Sequence, residues 1–425
     1  MRVNLAAKSV QSGEAANQSQ AIHLLDLHRQ YACIREEILA AITRVCDSQS
    51  FVLGPEVEAL EGEIAAFTTA KFAIGCASGT EALWLALVAA GVQAGDRVVT
   101  TPFSFFASAS SIVRAAATPE FVDVDPSTLN LDASLVEKLL SMERARGKNG
   151  AGVIRAVLPV HLYGQCADVD GLRRAVSSFC GEGFSGEGAG DLQSQGIAII
   201  EDAAQAIGAD WNGRSAGSLG IAAAFSFYPT KNLSAYGDAG IVTTSSLEMA
   251  EHMRRLRNHG SSKRYYHDEF GWNSRMDAIQ AAVLRVKMSR VSGWNDSRRQ
   301  HASMYDRLLA DSGLCASSPA AEQSQSPVRL VGRSSEAKHV YHQYVIRARR
   351  RDELRSFLTE RNIGSEVYYP LPLHLQPAFA YLALKPGSFP VAESAAQEVL
   401  ALPMFPELTE AEIRRIVQTI ADFYS

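Results

Sequence analysis

"AFSFYPTKNLSAYGDAGIV", residues Ala224–Val242, runs from one apolar stretch through a turn into another, and its turn carries a single lysine, Lys231. Apolar run, glycine-punctuated turn, apolar run is the pattern of two strands with a loop between them. A lysine in a loop is ordinarily solvated, so the residues that share its end of the sheet decide whether this one is. Upstream, "IAIIEDAAQAIGA" (197–209), "IRAVLPVHLYG" (154–164) and "KFAIGCASG" (71–79) are further continuous apolar runs. Helical patterns separate them, as in "TEALWLALVAAG" (80–91), which stops at Gly91. Unbroken apolar strands alternating with helices predict an α/β fold with a mostly parallel central sheet, covered on both faces.

At 425 residues the chain exceeds one ordinary core, so two domains are expected. The alternating pattern assigns 22–275 to a large α/β domain. From Met276 the periodicity becomes that of one long helix, with Met276, Ile279, Val283 and Val286 on a stripe, continuing to about Gly313. That helix opens a smaller α+β domain over 276–425, with strands expected at "HVYHQYVIRA" and "SEVYYP". Residues 1–21 read as a polar, disordered tail. The stretch 180–196 reads as a glycine-rich insertion; its formal G-x-G-x-x-G at Gly181, Gly183 and Gly186 has no strand before it, so it is not a dinucleotide fingerprint.

With 47% hydrophobic and 20% charged residues and a net charge of −5, the composition is that of a soluble globular protein, not a nucleic-acid binder. No apolar run is long enough to cross a bilayer. The six cysteines form no C-x-x-C pair, which suggests neither a zinc site nor a disulfide framework. Reduced thiols in a cytoplasmic enzyme are expected.

Three features fall on loops that follow strands, where open α/β sheets bind ligands. Ser78, Gly79 and Thr80 open a helix, whose unpaired N–H groups and dipole suit a phosphate, although Ser or Thr there is also an ordinary N-cap. Asp202 ends a buried strand, as a ligand-binding acid or a structural one; no G-x-x-x-x-G-K-[ST] exists to make it a magnesium ligand of a nucleotide triphosphatase. Ser226 stands five residues before Lys231, and a buried lysine amine can lose its proton and form a Schiff base. Phosphate donors, an acid and an amine together describe pyridoxal phosphate, with Asp202 on its pyridine nitrogen. Phe105 could lie flat on the ring or simply pack in the core.

The ordered stretches "LDLHRQY", "FVLGPEVEALE", "SGTEALWLAL", "FVDVDPSTLNLD", "PVHLYGQ", "IIEDAAQAIGA", "SFYPTKNLSAYGDAGIVTT", "GWNSRMDAIQAAVL" and "YYPLPLHLQPAF" closely resemble the DegT/DnrJ/EryC1/StrS sugar aminotransferases. The resemblance runs from about His23 to the C-terminus. It implies fold type I of the pyridoxal phosphate enzymes, with Lys231 as Schiff-base lysine and Asp202 as partner of the pyridine nitrogen. It places Gln205 near the ring hydroxyl, Ser78, Gly79, Thr80 and Ser226 at the phosphate, and Phe105 on the ring. Asn273, in "GWNSR", matches an asparagine that reaches the neighbouring subunit's phosphate, which implies a homodimer with shared active sites. His374 matches a residue at the substrate end of the pocket, or packs between domains.

The resemblance further implies transfer of an amino group from L-glutamate, giving 2-oxoglutarate and pyridoxamine phosphate, and then to a keto-sugar of a nucleoside diphosphate. Relatives that dehydrate sugars carry histidine in place of the lysine, so Lys231 favours transamination. The "KNLSAYGDAG" form is similar to that of enzymes acting on 3-keto sugars. A diphosphate substrate calls for cations: Arg275 beside Asn273, or members of the run Arg254, Arg255, Arg257, Lys263 and Arg264. Two alternatives stand: a pyridoxal phosphate lyase or decarboxylase acting on a free amino acid, and a non-catalytic regulator that keeps the fold.

Overall fold

The structure is a computed structural model and describes residues 21–146, 152–180, 196–315 and 326–425. Residues 1–20 of the expected tail and 181–195 of the expected insertion lie outside these segments. Seven strands form the central sheet: β1 (Phe72–Cys76), β2 (Arg97–Thr100), β3 (Thr118–Phe121), β4 (Ile154–Val157), β5 (Ala198–Asp202), β6 (Ala222–Ser226) and β7 (Gly240–Thr244). Their order is β1-β7-β6-β5-β4-β2-β3. Strand β7 runs antiparallel to both neighbours, β1 and β6. All other neighbours are parallel, as the continuous apolar runs predict.

The helix Gly79–Ala89 reads GTEALWLALVA and buries Ala82 through Leu87 without interruption. A helix apolar on every side has no face to give to water, so it is enclosed. It packs on β6, β7 and the helix Ala107–Arg114.

Register gathers the chemistry at one end of the sheet. Asp202, the last residue of β5, pairs with Ala224 of β6. Ser226, the last of β6, pairs with Gly240, the first of β7. Gly240 in turn pairs with Cys76, the last of β1. The turns that follow β1, β5 and β6 therefore open side by side, and they carry Ser78, Asp202 and Lys231.

Three antiparallel strands, Val328–Leu330, Tyr344–Ala348 and Val399–Leu402, make the sheet near the C-terminus. They share a buried cluster with Ile22, Phe103 and Tyr163, so the chain near residue 22 packs on this late sheet. The Ile22 amide bonds the Asn362 carbonyl at 2.9 Å. The expected long helix is two helices, Ala278–Met288 and Val291–Asp311. Ser289 and Arg290 separate them, and both side chains bond the Val286 carbonyl instead of leaving it to the helical ladder. Of "SEVYYP", one bridge between Glu366 and Ala401 forms, and the segment is otherwise irregular. Pro370 and Pro372 have no N–H to extend a ladder.

Candidate active site

Strand β1 ends at Cys76, and Ser78 caps the helix that follows by accepting the Glu81 amide on its Oγ at 3.2 Å. The first backbone bond of that helix runs from the Ala82 amide to the Ser78 carbonyl at 2.9 Å. The Gly79 and Thr80 amides precede it and project from the positive end of the helix dipole. Two glycines allow the rest of the chain to close on this turn. A Cβ on Gly79 would stand 2.5 Å from the Ser226 Cβ, and one on Gly240 would stand 2.3 Å from the Ser78 carbonyl carbon. Ser226 is thereby held against the helix N-terminus, with its Oγ accepting the Tyr228 amide at 3.3 Å. Hydroxyls and free amides in this arrangement form an anion cradle. Gly79→Ala forces Ser226 out of place, with an expected cost of about 1–3 kcal/mol in a denaturant titration. A variant as stable as the parent would show that the two turns are not packed as tightly as this.

Asp202 is buried. It accepts the Ser108 hydroxyl at 2.7 Å and the Ala204 amide at 3.2 Å. Burial pushes its carboxyl above the usual range, opposed by Ser108, Ala204 and the charge of Lys231. Lys231 lies in the turn between β6 and β7, its amide bonded to the Tyr228 carbonyl at 2.8 Å. Lys231 is half-buried, and desolvation of its amine lowers its pKa from 10.5 to about 8, against the opposing pull of Asp202. This is not a solvated loop lysine: it has a buried acid within electrostatic reach and can shed its proton near neutral pH.

Gln205 is buried with both ends of its amide engaged: Oε1 accepts the Tyr163 amide at 2.7 Å, and Nε2 donates to the Tyr369 hydroxyl at 3.0 Å. Phe105 is 59% exposed, with its ring tilted against Tyr369 at 6.5 Å, and so keeps a face open rather than packing in the core. Its neighbour Phe103 is the core residue.

Other expected residues have partners other than Lys231 and Asp202. Asn273 is exposed and accepts from the Arg275 Nε at 3.1 Å, while Arg275 Nη1 donates to Asn258 at 3.3 Å. The adjacent Ser274 carbonyl receives the Ala77 amide at 3.2 Å, tying this segment to the end of β1. His374 is buried and pairs with Glu393 at 3.1 Å, with Phe389 against its ring. That is a packing environment. In the basic run, Arg255 pairs with Glu269 and Arg257 with Glu61. Lys263 and Arg264 are exposed and lie over Tyr266 and Tyr265.

Sequence reasoning missed Ser108, Tyr369, Gly240 and the residue beside the lysine, Asn232. The Asn232 Nδ2 donates to Asn295 Oδ1 at 2.8 Å and to the Val340 carbonyl at 3.0 Å, and its Oδ1 lies 3.2 Å from His342 Nδ1. Hydroxyls and amides of this kind carry no charge pattern to flag them. A cavity of about 820 Å³ elsewhere, bordered by Asp125, Asp132 and Asp168, contains none of these groups. Its acids are committed to capping the Thr128, Ser134 and Gly171 amides.

An amine able to lose its proton, a buried acid, an anion cradle and an open aromatic face converge on the end of one sheet. They fit a phosphorylated aromatic aldehyde, and comparison with known proteins agrees. Residues 32–421 match the DegT/DnrJ/EryC1/StrS aminotransferase family. A pleiotropic regulatory protein of Geobacillus stearothermophilus is 46% identical over 95% of this chain and 98% of its own. A UDP-N-acetyl-3-dehydro-alpha-D-glucosamine 3-aminotransferase of Acidithiobacillus ferrooxidans is 39% identical over 95% and 98%. The crystal structure of S. venezuelae DesV in complex with a ketimine intermediate superposes with a TM-score of 0.83, at 39% identity over 95% of this chain and 99% of that one. The chain belongs to the DegT/DnrJ/EryC1/StrS aminotransferase family, and it is a pyridoxal-phosphate-dependent aminotransferase of fold type I.

Proposed function

We propose that this enzyme moves an amino group from L-glutamate to the 3-keto group of a sugar joined to a nucleoside diphosphate. The observation that carries the chemistry is the half-buried, desolvated Lys231 amine within electrostatic reach of the buried Asp202 carboxylate. The 3-keto acceptor is supported by the 3-aminotransferase from A. ferrooxidans and by the "KNLSAYGDAG" turn. When bound, pyridoxal phosphate supplies an aldehyde that exchanges amines and a ring that accepts the electron pair left on a deprotonated carbon.

The protein's own groups do the rest. The Gly79 and Thr80 amides with the Ser78 and Ser226 hydroxyls hold the phosphate, and Phe105 covers one face of the ring. Asp202 keeps a negative charge against the ring nitrogen, where positive charge is needed for the ring to draw electrons. Lys231 Nζ takes the proton from the donor's α-carbon and later delivers one, as general base and acid. Gln205 orients the ring through its hydroxyl. Asn273 completes the phosphate site of a second subunit in a homodimer, and Arg275, Lys263 and Arg264 face the diphosphate.

The test is spectroscopic. Protein loaded with pyridoxal phosphate should show a visible band that L-glutamate bleaches, with one 2-oxoglutarate formed per site and no more until a UDP- or dTDP-linked 3-keto sugar is added. Continuous product release without a keto acceptor would establish a lyase or decarboxylase instead. A protein that binds the cofactor but turns over nothing would fit the regulatory effect in the name of the Geobacillus relative.

A pH dependence follows from Lys231. The attacking species is the neutral amine, and burial sets its pKa at about 8. Capture of added pyridoxal phosphate by the cofactor-free protein should accelerate about tenfold per pH unit below that value and level off above it. A rate that keeps climbing to pH 10 would mean that the amine is solvated.

A further inference from the structure

Lys287 is a buried lysine that bonds the turn carrying Lys231, and nothing in the proposed chemistry uses it. It lies on the helix Ala278–Met288, four residues after Val283 on the same apolar stripe, and is 1% exposed. Its Nζ donates to Ser234 Oγ at 3.0 Å and sits 4.4 Å from the centre of the Tyr236 ring. Burial lowers its pKa to about 8, with no carboxylate among the described residues contributing. A buried ammonium without an anionic partner is expensive, and a leucine or methionine at this point of the stripe would pack at no such cost.

Both groups that engage Lys287 belong to the turn that carries Lys231. Asn232 anchors the residue after the lysine to Asn295 and Val340. Two and four positions further on, Ser234 and Tyr236 are further fixed points, and the Tyr236 amide donates to Gln280 Oε1 at 2.8 Å on the same helix as Lys287. We propose that Lys287 is a positioning residue: its ammonium, through Ser234 Oγ and the Tyr236 ring, fixes the turn and so sets the place of the Lys231 amine. This rests on the assignment of Lys231 as the reacting lysine. Catalytic amines lose rate steeply when displaced, about 10²-fold for a shift of the order of an ångström.

Lys287→Met keeps the length and removes the charge; Ser234→Ala removes only the acceptor. In the cofactor-free protein, both should raise hydrogen exchange at Leu233–Gly237 about tenfold while the rest of the sheet exchanges as before. In the loaded protein, both should slow bleaching by L-glutamate about tenfold or more, with the glutamate concentration for half-maximal rate changed less than twofold. The visible circular dichroism per bound cofactor should shift with it. Lys287→Met should melt no lower than the parent, since a costly buried charge is gone. Unchanged exchange and bleaching in Ser234→Ala would overturn the proposal, whether or not Lys287→Met folds. So would loosening spread over the whole domain with the bleaching rate of the loaded protein intact, which is the signature of a residue that only packs. If the parent itself forms no Lys231-dependent band, the assignment of Lys231 fails, while exchange in the cofactor-free protein still decides whether Lys287 holds the turn.

Discussion

Lys231→Ala is expected to lower turnover by about 10³- to 10⁴-fold and leave the fold untouched. The backbone around the lysine is held without its side chain. Its amide bonds Tyr228, the Ala235 amide bonds Phe227, and Asn232 is anchored on both sides. Removing an amine whose burial already drives its pKa to about 8 relieves the protein of a poorly hydrated charge. The melting temperature should therefore hold or rise, and the cradle at Gly79 and Ser226 should still retain the cofactor through its phosphate. Catalysis is another matter, because the amine proposed to carry the proton at the donor's α-carbon is gone. Lys231→Arg separates the two possible uses of the residue. A guanidinium keeps the charge near Asp202 but neither attacks an aldehyde nor sheds a proton near neutral pH, so Arg should be as inactive as Ala. If Arg retained a tenth of the parent's activity, Lys231 would be serving as a charge. If Ala did so, the turn lysine would be no part of the chemistry.

The order of strands and helices in the large sheet was legible because both faces are covered, and covered parallel strands write themselves as unbroken apolar runs. Lys231 and Asp202 stood out as candidates for a related reason: a lone charge at the end of such a run has few structural excuses. What failed was whatever depends on competition inside one segment. The pattern from Met276 onward is helical throughout, yet Ser289 and Arg290 bond the carbonyl of Val286 and divide it. "SEVYYP" has strand composition, but Pro370 at its end and Pro372 just beyond it stop the ladder after a single bridge. The site's quieter members escaped because their role is set by who faces them across the fold. Ser108 meets Asp202 from 94 residues away, and Gln205 meets Tyr369 from 164. Gly240 looks like any glycine at the start of a strand until the Ser78 carbonyl is found against it. Lys287 did leave a trace, a cation on an apolar stripe, which periodicity alone would have flagged.

Asp202→Asn should cost about 10³-fold in turnover with no loss of stability, and the contrast between these two quantities is the point. Asparagine is isosteric: its oxygen can accept the Ala204 amide, and its Nδ2, standing where a carboxylate oxygen accepted Ser108, can donate to the Ser108 hydroxyl, so both local partners are kept with one bond reversed. It removes a buried charge whose pKa burial already raises, and replacing such a charge by a neutral group of the same shape is often neutral or stabilising. A purely structural acid would therefore be dispensable. An acid that keeps a ring nitrogen protonated is not, because a neutral amide cannot hold the proton there while negative charge spreads into the ring. The raised pKa also fixes the sign of the pH effect in the parent enzyme. Below that pKa the carboxyl is neutral and behaves as asparagine does, so activity should fall on the acid side at a pH above the 3.8 of an ordinary aspartate. In Asp202→Asn that acid limb should vanish along with the rate. Parent-like turnover in a stable Asp202→Asn would leave the buried carboxylate without a catalytic role. A variant that loses stability and rate together would return it to the scaffold, as the acid that ties Ser108 to the end of β5.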